Sequence, residues 1–176
     1  MSDAPPIERI YDLTKLSEAG DEIQIKASGD DLTRLAQWAE LLRVERFESS
    51  VSLRKISPTR FAYDAVLTAD IVQACVVTLE PVRSHIARSF ARELHYTPKR
   101  HAEPEMVLTL AAGDEDAPDE IASTRYDLAG PLLEEFSLSI DPYPRAPGVA
   151  FALPVEEEPK PESPFAVLKR LKGEGG

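Results

Sequence analysis

The chain has 176 residues, with 20 Lys plus Arg against 31 Asp plus Glu, for a net charge of −11. That length buries one ordinary core and is short for two, and 43% hydrophobic residues is the composition of a folded domain. The charge opposes free-standing nucleic-acid binding and docking on an anionic membrane, and the single cysteine, Cys75, excludes an intramolecular disulfide and a multi-cysteine zinc site.

Along the chain, Ile7, Ile10 and Leu13 fit a short strand, and Ile23 and Ile25 another. A helix is predicted from about Asp30 to Leu42. Leu32, Leu35, Ala36, Ala39 and Leu42 give it one apolar face, and Ser28, Asp30 and Asp31 offer N-caps. The period then falls to two. Phe47, Val51 and Leu53 alternate with polar residues, and Ser57-Pro58-Thr59-Arg60 reads as a turn. From Phe61 the odd positions stay apolar as far as Leu79. This predicts a long half-buried strand, or two joined at a bend, and with the preceding strand a hairpin. In Val82–Tyr96 the apolar positions Val82, Ile86, Phe90 and Leu94 suit a face of either a strand or a helix. Residues 97–120 are predicted mostly as loop, with a short strand at Met106–Leu110. A second helix is predicted from Asp127, with Pro131 in its first turn and Leu128, Leu132 and Phe136 on one face, ending before Pro142. Residues 148–163 form a Pro/Glu-rich linker. The last element, residues 164–172, is a short amphipathic helix capped by Ser163 and closed by Gly173, with Phe165, Leu168 and Leu171 on one side. It is too short to stand alone in water and must dock on its own domain or on a partner.

The charge is segmented. Residues 1–42 carry −5, residues 43–102 carry +4, residues 103–147 carry −9 and residues 148–176 carry −1. The start of the chain lacks a positive segment followed by an apolar one, so no secretory signal is expected. The longest apolar-rich stretch, Ile71–Leu79, falls far short of the roughly 20 residues that cross a bilayer. A reducing, cytoplasmic setting is the simplest reading.

Few residues suggest catalysis. Cys75 with His85 is a conceivable nucleophile pair, but Cys75 falls on the apolar side of its strand pattern, where cysteines act as small core residues. His95, His101, Glu103 and Glu105 have no metal-ligand spacing. The acidic run at 114–120 lacks the glycine of a calcium loop, and the eight glycines form no phosphate-binding loop. No catalytic residue, metal site or cofactor is therefore expected. The basic middle offers a candidate patch at Arg54, Lys55, Arg60, Arg83, Arg88 and Arg92. It either faces RNA or an acidic partner, or neutralises the flanking acids within the molecule.

The segment Val72-Gln-Ala-Cys-Val-Val-Thr-Leu-Glu-Pro-Val82 resembles the central motif of the YceD-like family, the large ribosomal RNA subunit accumulation proteins. Tyr126-Asp-Leu128, Leu132-Leu-Glu-Glu-Phe-Ser-Leu138 and the closing Pro164-Phe-Ala-Val-Leu-Lys-Arg-Leu-Lys172 follow in the order that family shows. The resemblance implies a strand after Pro81, structural roles for Cys75, Leu79, Glu80 and Pro81, and a cytoplasmic non-enzyme needed for normal levels of large-subunit (23S) ribosomal RNA. Many members carry a second cysteine three residues after the first. Thr78 stands there in this chain, so a zinc site does not carry over.

The expected architecture is a single α+β domain over 1–147, with an antiparallel sheet of long strands, two packing helices and an acidic loop, then the 148–163 linker and the tethered helix at 164–172. The expected role is in ribosome biogenesis, by binding a basic ribosomal protein or assembly factor of the large subunit. No membrane or small-molecule substrate is expected. Direct RNA binding through residues 43–102 is the alternative, and an enzyme using Cys75 the third reading.

Overall fold

A computed structural model describes residues 5–98 and 118–149. Its elements are β1 (Ile10–Asp12), β2 (Asp21–Lys26), α1 (Gly29–Trp38), β3 (Arg43–Ser57), β4 (Arg60–Ala74), β5 (Pro81–Tyr96), β6 (Asp119–Ile121), β7 (Arg125–Asp127) and α2 (Ala129–Ser139), with a 3-10 turn at Leu13–Lys15. The fold is α+β. A five-stranded sheet runs β2-β3-β4-β5-β6, and β1 pairs with β7 in a small ribbon.

Three long antiparallel strands make the body of the sheet. Phe61, Tyr63, Ala65, Leu67, Ala69 and Ile71 of β4 are all buried, and their register partners on β3 include Leu53, Val51 and Phe47. Since alternate residues face opposite sides of a sheet, this parity defines an inner face. Val82–Tyr96 resolves as strand, with Ile86 and Leu94 buried against β4.

Both helices cover the inner face. Ser28 and Asp31 form a capping box that starts α1, which buries Leu35 and Ala36. The helix stops at Trp38, short of the predicted Leu42, because Ala39 leaves helical geometry and Glu40 turns left-handed at φ 56°. The chain then enters β3, with Leu42 N–H bonded to Val72 O at 3.0 Å. The second helix starts at Ala129, two residues later than predicted. Asp127 caps from outside it, its Oδ1 accepting from the N–H groups of Arg9 at 2.7 Å and Ala129 at 3.0 Å. Leu128, Leu132 and Phe136 are fully buried, as their spacing predicts, and Phe136 meets Phe47 edge to face at 5.4 Å.

Two predictions need correction. The strand pattern read through to Leu79 breaks at Ala74. Cys75 N–H donates to Glu80 O at 2.8 Å and Leu79 N–H to Cys75 O at 2.9 Å, so residues 75–80 close a turn, and Val77 and Leu79 face outward. The loop read through residue 120 ends earlier, because Asp119–Ile121 pairs in parallel with Leu94–Tyr96. Three residues show no usable periodicity, and their pairing is set by the neighbouring strand. The predicted strand at Met106–Leu110, most of the acidic loop and the C-terminal helix lie outside the described residues.

Candidate functional site

The six residues of the candidate basic patch do not share a surface. Arg54, Arg60 and Arg83 pair with Ala62, His95 and Val72, on the open face of the sheet. Lys55 pairs with Phe61, Arg88 with Leu67 and Arg92 with Tyr63, which are inner-face positions. The sheet itself separates the two groups.

On the open face each cation meets a carboxylate. Arg54 bonds Asp64 at 3.0 Å, and Arg60 and Arg83 lie within ion-pair distance of Glu93 and Glu45, at 2.6 and 3.4 Å. Arg43 also bonds Glu45, at 2.6 Å, and Lys26 bonds Glu48 at 2.7 Å. Asp70 is shared: its Oδ1 takes His85 Nδ1 at 2.6 Å and its Oδ2 takes Arg46 Nε at 2.7 Å. The hydrogen bond from His85, then that from Arg46, holds the Asp70 carboxyl below its ordinary range. Between the charged ends lies a shallow floor of small side chains including Ser50, Ser52, Val66, Ser89 and Ala91.

Arg92 is half-buried on the inner face. Its guanidinium bonds Glu134 of α2 at 2.7 Å and Asp119 of β6 at 3.4 Å, and lies 5.8 Å from the centre of the Phe90 ring. It thus ties β5, β6 and α2 together. Arg88 donates from Nε to Ser139 Oγ at the end of α2, at 2.9 Å. Beside Arg92, Tyr63 donates its hydroxyl to Leu128 O at 2.8 Å. Burial raises the phenols of both Tyr63 and Tyr126, the latter to about 12, so both stay protonated.

The turn after β4 is the third feature. Cys75 is buried and receives Ala146 N–H at 3.4 Å. The Thr78 hydroxyl, then the N–H groups of Ala146, Thr78 and Val77, lower its thiol to about 6, because donors aimed at sulfur favour the thiolate. His85 is not its partner, being engaged with Asp70 on the open face. Glu80 and Pro81 close the turn and open β5, and Glu80 O accepts from Cys75 N–H. Leu79 stands at φ 62° with 77% of its surface exposed. No sequence signal marks that left-handed leucine. Phe165, Leu168 and Leu171 lie outside the described residues.

Among the described residues no group of three or more His, Cys, Asp or Glu side chains is placed to hold a metal ion. No helix there is long and apolar enough to cross a membrane. His95 pairs in register with Arg60, while His101, Glu103 and Glu105 fall outside the described residues.

A one-sided α+β sheet, with paired charges on one face and a tight apolar turn at one end, defines a scaffold whose exposed features are surfaces. Residues 63–172 match the family described as large ribosomal RNA subunit accumulation protein YceD, and since the match covers well over half of the chain, the protein belongs to that family. The matched segment opens in β4, takes in the 75–80 turn, β5 and α2, and ends at Lys172. The family description connects the chain to accumulation of large-subunit ribosomal RNA and names no reaction. No curated protein and no solved structure matches the chain.

Proposed function

We propose that the protein supports large-subunit ribosomal RNA accumulation by binding a basic ribosomal protein or assembly factor, and that it does not coat the RNA itself. The observation that carries this reading is the charge pairing on the open face. Arg43, Arg46, Arg54, Arg60, Arg83 and Lys26 each lie within ion-pair distance of a carboxylate on the same face. RNA would have to displace those carboxylates, and each retained one would repel a phosphate, so little of the counterion-release gain remains. Much of the excess acid of the chain falls elsewhere, in residues 103–120 and 156–162. Those segments supply a field that draws in and orients a very basic protein. Phe165, Leu168 and Leu171 supply apolar anchors for the same contact.

Affinity purification from cells, with bound proteins identified and bound RNA sequenced, tests this. Basic large-subunit proteins or assembly factors are expected with the bait, and they should stay bound after nuclease treatment. Purified protein should show no steeply salt-dependent affinity for large-subunit RNA fragments. Tight, salt-sensitive RNA binding by the protein alone would replace this reading with direct contact.

A further inference from the structure

The 75–80 turn leaves apolar surface uncovered. Val76 is 47% exposed, Val77 37% and Leu79 77%. Tyr143, 71% exposed, belongs to the same end, because the adjoining Pro144 O accepts from Val76 N–H at 2.9 Å. Leu42, 58% exposed, is held beside the end of β4 by its bond to Val72 O. Single exposed apolar side chains are ordinary, but several gathered at one end form a surface that another element covers. Leu79 carries two costs there. Its left-handed backbone is strained for a bulky residue, and its side chain remains in water. Glycine would hold the turn more cheaply.

The described chain ends beside this surface. Gln73 Nε2 donates to Asp141 O at 2.8 Å, Val76 N–H to Pro144 O, and Ala146 N–H to Cys75 Sγ. Val149, where the described chain ends, is therefore three residues past a group bonded to the turn. Residues 150–176 depart from there, and the family match runs on to Lys172, so turn and tail fall in one family unit. We propose that residues 164–172 dock in cis as a short helix on the apolar end made by Leu42, Val76, Val77, Leu79 and Tyr143, with Phe165, Leu168 and Leu171 turned toward it.

The dimensions agree. Nine helical residues span about 13.5 Å at 1.5 Å each, close to the roughly 14 Å width of three strands, which suits the shared end of β3, β4 and β5. Residues 150–163 span at most roughly 50 Å, enough to bring residue 164 back to this end. That tether holds the helix at an effective concentration of order mM, so even a weak contact is well populated, and docking supplies what a helix this short lacks on its own. Glu80 and Asp141 adjoin this end through their bonds to Cys75 and Gln73, and Lys169, Arg170 and Lys172 of the tail carry the opposite charge. The contact belongs to the free protein, and a partner that uses the same three anchors must first displace them.

Amide spectra of the full chain and of a form ending at residue 162 test the proposal, with no partner present, so the result is independent of the partner reading. Truncation should shift the resonances of Leu42, Val76, Val77, Leu79 and Tyr143, leave Ser50, Val66 and Ser89 on the open face in place, and give the same shifts at every protein concentration. Leu171→Asp in the full chain should reproduce the truncation spectrum. Leu79→Gly should release the tail without lowering Tm, because glycine relieves the left-handed strain. Turn resonances that ignore truncation, shifts centred on the open face, or shifts that vanish on dilution would each overturn docking in cis, the last by assigning the tail to a second copy.

Discussion

The two faces of the central sheet carry the same kinds of residue in the same strands and use them differently. Arg92 on the inner face reaches across elements to Glu134 on α2 and Asp119 on β6, with its side chain only 24% exposed. Arg54 on the open face reaches one strand sideways to Asp64, with its side chain 63% exposed. A charge pair that is partly desolvated and joins three elements holds tertiary structure, whereas a solvated pair within one sheet is worth little. Among the described residues, the arginines of the basic middle are therefore two sets, one fastening the helix layer and one neutralising a surface.

The largest expected effect breaks the inner face. Phe136→Ala removes the ring that meets Phe47 edge to face in a fully enclosed site. Truncating a buried aromatic costs about 3–5 kcal/mol. Denaturant unfolding should report a loss in that range, and a loss under 1 kcal/mol would mean that α2 is not seated on the sheet. Next comes Arg92→Ala, which removes the pairs with the partly exposed Glu134 and Asp119 and the contact with Phe90. About 1 kcal/mol is expected. Lysine should recover little of it, since a single ammonium cannot reproduce a planar fork that bridges two elements.

Both faces were written in the alternation of β3 and β4. Phe61 through Ile71 at odd positions predicted the buried side, and the structure places each of them there. The helix cores at Leu35 and at Leu128, Leu132 and Phe136 were equally legible, because one apolar stripe satisfies both local period and burial. The split of the arginines was also available. Arg88 and Arg92 share parity with Ile86, Phe90 and Leu94, and Arg83 does not, but reading it requires knowing that 82–96 is a strand, and a four-residue apolar recurrence fits both periods. What could not be read is whatever tertiary pairing sets: the three-residue β6, the cap that Asp127 lends from outside its helix, and the left-handed Leu79. Cys75 also fitted the strand pattern, because a buried turn residue and a buried strand residue look alike in a period-two reading.

A smaller effect sharpens the open face. Arg54→Ala should cost about 0–1 kcal/mol, since solvated ion pairs contribute that little, and the difference should fade in high salt. Its use lies in charge. The substitution leaves Asp64 unopposed on the face, so any residual affinity for RNA should fall and affinity for a basic partner should hold or rise, as paired binding assays of the two variants would show.

A pH-dependent effect sits at the turn where the faces end. The Cys75 thiol is lowered to about 6 in the folded protein, by the Thr78 hydroxyl first and by backbone N–H groups after it. An unfolded cysteine titrates near about 8.5. A group whose folded value is the lower one stabilises the fold above its unfolded value and loses that contribution as pH falls through its folded value. The stability difference between wild type and Cys75→Ala should therefore grow from pH 6 toward pH 8.5 and level off above it. Thiolate absorbance of this sole cysteine, read against Cys75→Ala as blank, should rise with a midpoint near pH 6. Thr78→Val removes the first of the donors, so it should move that midpoint upward while leaving β4 and β5 paired. A midpoint unchanged by Thr78→Val would show that the hydroxyl does not reach the sulfur, and that the turn holds its cysteine by backbone N–H groups alone.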